Sequence, residues 1–474
     1  MFASLFNKQS DRRLKDQVAQ MLKLNPDQLD AFEQAYRQAA LTDEAMSDNF
    51  FDINSRQASQ LNKEQAQLPE KIDTDLLQQI ISRSVDELTA RTNILAISDG
   101  QVKAVSYPAL PEGSPLLTNA DLRLLPEEIR PQATGHLMKV DIDAMAYKEI
   151  LPFYAQAITE KNPAKARRAY HMFRQGLDIL DLDPIIYQML GMNKNAMSYW
   201  LPSISSAAEK HGFFRIPETR IAKVPMPILQ LSRLDYGSLN QATLAIVDAW
   251  AMKAFDLDVN KTYFIKTGTY SSKFDFRNAK VTGEKEVREL GEYLLFIQHQ
   301  ASCMAHPTSS PCIYGVSTTN EWVVREFIED EENNPCIYKG LPLHTEYRVF
   351  VDFDTDEILG INPYWDPDVM KTRFSQGNDA ASPHQRHDYI IYKMHEETLM
   401  RRYNENKDTV LAHIKEMLPD VNLEGQWSID IMQNGQTFWL IDMATAGTSA
   451  LRNCVPAGRL KKTPENWLPE HIDA

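Results

Sequence analysis

Lys266, Arg325 and Arg348 interrupt stretches of Val, Ile, Phe and Tyr, and so do Asp430 and Asp442. Taking such charges out of water is costly unless each meets a partner. Guanidinium forks bind phosphate in two-point geometry, and lysines add point charges. Mg2+ is held typically by one or two carboxylates together with phosphate oxygens. Together these residue types point to a phosphorylated, metal-carrying anion.

The first cation belongs to "YFIKTGTYSSKFDF", residues 263–276. Lys266 ends an apolar strand; Gly268, Ser271, Ser272 and Lys273 follow. A loop of small residues lets backbone N–H groups approach phosphate, with the lysines supplying charge. It is neither a G-x-x-x-x-G-K-[ST] loop nor the Lys-x-Asp-Gly of covalent nucleotidyltransferases. The alternative is a surface hairpin with solvated lysines.

The arginines lie in "VVREFIED" and "TEYRVFVDF". Alternation along a strand groups Arg325 with Val323 and Phe327, and Arg348 with Glu346 and Phe350. They either face a shared anion or form a structural pair, for instance Arg325 with Glu346. The acids lie in "WSIDIMQNGQTFWLIDMATAGTSAL", where Asn434-Gly435 signals a hairpin. With a two-residue Asn434-Gly435 loop, Asp430 and Asp442 point to opposite faces. A three-residue loop, Gln433-Asn434-Gly435, returns them to one face, and a bulge or strong twist is still needed. One of the acids could instead be a capping carboxylate.

These residues need strands to hold them, and from about residue 261 the chain supplies them. "KTYFIKTG", "EWVVREFI", "TEYRVFVDF", "EILGINPYW", "QWSIDIM" and "TFWLID" are short, β-branched or aromatic, and bounded by turn residues. "GEKEVRELGEYLLFIQHQ" and "KDTVLAHIKEML" read as helices between them. The expected fold is α+β, with a helical N-terminal region before a domain of mainly antiparallel sheets. The expected divisions are 1–95, helical with a polar connector; 96–255, mostly helical, a substrate, partner or lid region; 256–455, nucleotide binding; and 456–474, a tail. Helices are expected in "LNPDQLDAFEQAYRQAAL", "DTDLLQQIISRSVDELTAR", "MAYKEILPFYAQAI", "NPAKARRAYHMFRQGLDIL", "DPIIYQML" and "NQATLAIVDAWAMKAFDL".

The 474 residues suffice for two to four domains. Apolar residues at 43% and charged residues at 24% suit a globular chain. No apolar run is long enough to span a bilayer, and the N-terminal apolar patch is too short for a signal peptide. The cytoplasm is the expected compartment. Cys303, Cys312, Cys336 and Cys454 show no zinc-type spacing and read as reduced thiols. A net charge of −15 argues against nucleic acid and anionic membranes as partners.

The order of these pieces over 256–455 resembles the C-terminal half of the ATP-grasp superfamily: strand with Lys, small-residue loop with Lys, helix, "VVREFI", "EYRVFV", and two acid-bearing strands ending "WLIDMATAGTSAL". Within it, the chain resembles the clade marked by two arginines and a lysine, which includes a cell-division-cycle assembly factor of translation initiation factor two. The resemblance implies ATP and Mg2+ as cofactors. Lys266 would contact the inner phosphates and Lys273 the outer ones, from the loop of Gly268, Ser271 and Ser272. Glu326, Phe327 and Ile328 would form the hinge that reads adenine, with Glu329 at the ribose. Arg325, Arg348 and Lys273 would serve the reacting phosphates, and Asp430 and Asp442 would hold the metal. The family usually has Asn two residues after the second acid; Ala444 stands there, beside Thr445. The implied function is an ATP- and Mg2+-dependent carboxylate–amine ligase acting through an acyl phosphate. The alternatives are an ATP-binding assembly factor for a protein partner, or a degenerate nucleotide-binding scaffold.

Overall fold

The computed structural model describes residues 73–134, 193–232, 239–304, 317–375 and 383–461, with Asn162, Lys165, Tyr187, Leu190 and Gly191 besides. The helices expected near residues 24–41 and 145–190, the connector at 43–71 and Cys312 lie outside the described residues.

Helix α1, Thr74–Ala90, starts at Asp73, whose carboxylate accepts from the N–H groups of Asp75 and Leu76. It turns Ile80, Val85 and Leu88 inward. Asn240 caps α3, Gln241–Ala254, in the same manner. The stretch read as one helix over 283–300 is a short turn of helix, Gly283–Arg288, followed by α4, Leu290–Met304. "KDTVLAHIKEML" is the end of a much longer helix, α6, Pro383–Met417. Among the described residues, two helices of nine or more residues escaped the sequence reading, α2, Met197–His211, which contains Pro202, and α5, Pro367–Ser375, as did the short Asn119–Arg123 and Met226–Leu231.

Every strand expected after residue 261 is present. Tyr263–Thr267 is β5, Glu321–Glu326 is β7, Thr345–Asp352 is β10, Glu357–Pro363 is β11, Gln426–Asn434 is β12 and Thr437–Thr445 is β13. Earlier residues add strands that were not expected: β1, Asn93–Ser98; β2, Gln101–Ser106; β3, Phe214–Arg215; and β4, Thr219–Lys223. The short strands β6, Lys280–Val281, β8, Cys336–Ile337, and β9, Leu341–Pro342, complete the set among the described residues.

The first sheet has the order β2-β1-β4-β7-β5-β6 and the second β11-β10-β12-β13-β3. All pairings are antiparallel except β13 with β3. The fold is α+β. The first sheet thus draws β1, β2 and β4 from the regions read as helical and mostly helical, so it straddles residue 256.

One face of the first sheet packs on α1, α3 and α4 through Trp250, Ile265, Leu294 and Trp322. The second core gathers α2, the end of α6 and one face of the second sheet around Trp200, Tyr347, Ile414 and Trp427. The other face of the first sheet adds Ile97, Ile221 and Val323 to this second core and also carries the buried charges Lys266, Glu321 and Arg325. Among the described residues no helix is long and apolar enough to cross a membrane. Cys336 and Cys454 are free thiols.

Candidate functional site

The hairpin β12–β13 decides whether the two acids meet. Its loop is Gly435-Gln436, since Asn434 and Thr437 are the closing pair. The turn is therefore one to two positions later than either loop considered from the sequence. Gly435 has φ 59°, a value glycine adopts freely at the first position of a tight turn. From there the register would set Asp430 opposite Ile441, but it shifts between Asp430 and Ile431. Asp430 then faces Asp442 and Ile431 faces Leu440. The expected bulge exists, and it alone brings the acids to one face.

Arg348 of β10 stands opposite Asp430 in the ladder. Its Nε and Nη2 donate to the two carboxylate oxygens at 2.7 and 2.6 Å, and Nη1 donates to the Ala450 carbonyl at 3.3 Å. From the first sheet, Lys266 Nζ reaches Asp442 Oδ2 at 2.9 Å, with the lysine buried and the acid partly exposed. Arg325 donates through Nη1 to the Ile441 carbonyl at 2.6 Å and through Nε to Thr219 Oγ1 at 3.2 Å. The bulge residue thus offers its carbonyl to one sheet-one cation while its neighbour's carboxylate meets another. Arg325 is not paired with Glu346, the structural partner considered for it.

A cleft of about 890 Å3, its open mouth included, runs between these walls. Its charged end is lined by Lys266, Lys273, Arg325, Glu346, Asp430 and Asp442. Its apolar end is lined by Phe264, Phe276, Phe327, Leu341, Met432 and Ile441. A largely apolar lining with a few convergent polar groups is a usual mark of a small-molecule site.

The electrostatics at the charged end are uneven. Arg325 is 3% exposed, and its Nη2 is buried without a hydrogen-bond partner. Burial lowers this arginine to about 10, against the pull of Asp442. Burial likewise brings Lys273 down to about 8; Glu346 opposes the shift and the neighbouring Arg348 guanidinium adds to it. Glu346 is pushed the other way by burial, up to about 7, although Lys273 draws it back.

Of the residues singled out from the sequence, Lys266, Ser271, Lys273, Arg325, Glu326, Phe327, Ile328, Asp430 and Asp442 line the cleft, and Arg348 meets it through Asp430. Three others do not line it. Gly268 donates its N–H to the Glu321 carbonyl at 3.0 Å, and a Cβ there would lie 2.7 Å from Thr319 Oγ1. Ser272 is buried at the start of a 3-10 turn. Glu329 points outward, 3.8 Å from Lys280, while its carbonyl accepts from Asn434 Nδ2. In the hinge, Glu326 and Phe327 spend their N–H groups on the carbonyls of Glu218 and Thr262.

The sequence reading missed His344, Met432 and Trp365 as cleft residues. Trp365 carried a signal, as a large aromatic in "NPYW" directly after a strand. The other two are ordinary strand and loop residues.

No family model and no curated protein matches this sequence. Among solved structures, C-terminally truncated Cdc123 from Schizosaccharomyces pombe is similar at 15% identity and a TM-score of 0.31, covering 53% of this chain and 83% of that one. Cdc123 from the same organism gives 15%, 0.30, 54% and 87%. Likeness at that level carries no argument about function.

Proposed function

We propose that the cleft binds ATP with Mg2+ and that the γ-phosphoryl group passes to a carboxylate, releasing ADP, after which an amine or similar nucleophile attacks the acyl phosphate and displaces inorganic phosphate. Arg325 carries this reading. A buried guanidinium with its Nη2 amino group unspent, in a cleft lined by Lys266 and Lys273 with Arg348 behind Asp430, fits a polyanion far better than a neutral guest.

The residues present fit both groups. The apolar end would take the base, with Phe327 and Ile328 of the hinge beside it. Lys266 and Lys273 would hold phosphate oxygens, and Arg325 and Arg348 would neutralise charge that grows as the phosphoryl group moves. Asp430 and Asp442 would hold the ion; among the described residues no cluster of three His, Cys, Asp or Glu offers a metal site without phosphate. Mg2+, when bound, would neutralise phosphate charge. Asp430 and Asp442 are engaged by Arg348 and Lys266, so those cations would exchange a carboxylate for phosphate as ligands enter.

A second reading keeps the nucleotide and omits the transfer, ATP serving an assembly factor that grips a protein partner. Ala444 favours it, because a methyl stands where the resemblance implies a third metal ligand. Calorimetric titration of the purified protein with ATP and excess Mg2+ tests both. Saturable binding, competed by ADP, is expected; absence of binding overturns both readings. ADP release that depends on an added carboxylate, lost in Arg348→Ala, would favour transfer.

A further inference from the structure

Lys273 of the cleft lining and Arg348, which meets the cleft through Asp430, come together at one aromatic ring outside that lining. Lys273 Nζ lies 4.2 Å from the centroid of the Tyr364 ring, and the Arg348 guanidinium carbon lies 4.8 Å from it. Both cations need such a partner. Arg348 has Asp430, but among the described residues no carboxylate lies within ion-pair distance of Lys273. Arg348 also disfavours the Lys273 charge, as two like charges in a poorly hydrated site must. The quadrupole of a single ring attracts both at once.

The ring is fixed by its surroundings. Tyr364 donates its N–H to the Glu346 carbonyl at 2.9 Å, and Trp365 packs edge-on against it at 5.1 Å. Trp365 is tied in turn: its Nε1 donates to the His344 carbonyl, and its own carbonyl accepts from Tyr392 Oη on α6. With its backbone tied to β10 and its ring partner Trp365 tied to His344 and α6, the ring is preorganised, so the cations need not be gathered when an anion arrives.

We propose that Tyr364 is a positioning residue that holds Lys273 and Arg348 together against their repulsion, and so sets affinity for the outer phosphates rather than for the nucleoside. This rests on the nucleotide-binding reading above, which concerns the cleft as a whole.

Calorimetry on the full chain with Tyr364→Leu and Tyr364→Phe, in buffer containing Mg2+, tests it with three probes: ATP, adenosine and inorganic tripolyphosphate. Removing the ring in Tyr364→Leu should weaken ATP and tripolyphosphate about tenfold, while Tyr364→Phe, which keeps it, stays within about twofold. Adenosine should bind all three proteins alike. Unchanged ATP and tripolyphosphate affinity in Tyr364→Leu overturns the proposal. So does an equal loss for adenosine, which would mean that the cleft itself had deformed. If the wild type binds tripolyphosphate but neither ATP nor adenosine, the nucleotide reading fails and the tripolyphosphate series still decides the role of Tyr364. If it binds none of the probes, both fail.

Discussion

Glu321 and Arg325 lie on the same strand, β7, four residues apart and therefore on the same face. Both are buried charges, 0% and 3% exposed, yet their surroundings differ. Glu321 is saturated. Lys223 Nζ lies 2.8 Å from one of its oxygens, the Ser198 hydroxyl donates to that same oxygen, and the Ser198 N–H, in the first turn of α2, donates to the other at 3.2 Å. The positive end of a helix favours a carboxylate there. Among the described residues, Arg325 has a carbonyl and a hydroxyl, no carboxylate within ion-pair distance, and one nitrogen unpartnered. A buried charge whose valences are all met holds structure together. One left short of partners costs stability and is available to a guest.

Arg325→Met tests this most sharply. Methionine approximates the length of the side chain without its charge. ATP affinity should fall about a thousandfold, in the range seen when one partner of a buried charge contact is removed. Urea unfolding of the same variant should show stability unchanged or about 1 kcal/mol higher, because the under-partnered guanidinium no longer has to be desolvated. A large loss of stability would make Arg325 another Glu321.

Glu321→Ala should behave in the opposite way. Loss of the carboxylate strands Lys223 and the first turn of α2, and should cost about 3 kcal/mol in a urea melt, the low end for a broken buried pair because Lys223 is partly solvated. ATP binding by the fraction that remains folded should change far less than in Arg325→Met. The contrast between the two variants, rather than either value alone, is what the comparison predicts.

The two residues also show what could be read in the sequence. Arg325 stood out because an arginine among Val and Phe needs a partner, and alternation placed it on a face with Val323 and Phe327 while leaving open whether that partner was a ligand or Glu346. Glu321, at the edge of the same strand, looks like an ordinary strand-end acid; its partners are 98 and 123 residues away and nothing local announces them. The same limit hid half of the first sheet. Asp99-Gly100 is a hairpin turn signal, both residues having positive φ, and it joins β1 to β2. Yet every residue of β2 is exposed, so no apolar alternation reinforced the signal. The α2 helix was obscured by Pro202. The acids were legible as a pair but their register was not, since a single extra residue, Ile441, decides which face Asp442 takes.

Glu346 sharpens the comparison through pH. Burial raises it to about 7, so over the window from the ordinary glutamate value up to about 7 the folded chain keeps a proton that the unfolded chain has lost. The unfolded state then binds fewer protons, and stability falls as pH rises through that window. The fall attributable to Glu346 should be about 3 kcal/mol, and Glu346→Gln should abolish it. Asp248, pushed up to about 8 by burial and by Glu292, contributes a decline of its own. The measurement is therefore the difference between wild-type and Glu346→Gln unfolding curves at several pH values. A pH-independent difference would mean that Glu346 is ionised throughout, with Lys273 as a full partner, and the charged end would then resemble the saturated surroundings of Glu321.

Gly268→Ala should give the smallest effect, and it separates two explanations of one residue. As part of a phosphate loop, Gly268 would matter because its N–H approaches the anion, and substitution would reduce ATP affinity. Its N–H is instead spent on the Glu321 carbonyl. Its missing side chain leaves room for Thr319 and for Glu321, whose Oε2 would lie 3.0 Å from an added Cβ. The backbone there is not in the left-handed region, so alanine is strained by contact rather than by conformation. Crowding of that kind should cost about 1–2 kcal/mol of stability, and the cost should shrink in a Thr319→Ala background, where the closest atom, the hydroxyl 2.7 Å from the added Cβ, is gone. ATP affinity should hold within about threefold in Gly268→Ala. An affinity loss without a stability loss would return Gly268 to the phosphates and break the division between the two ends of β7.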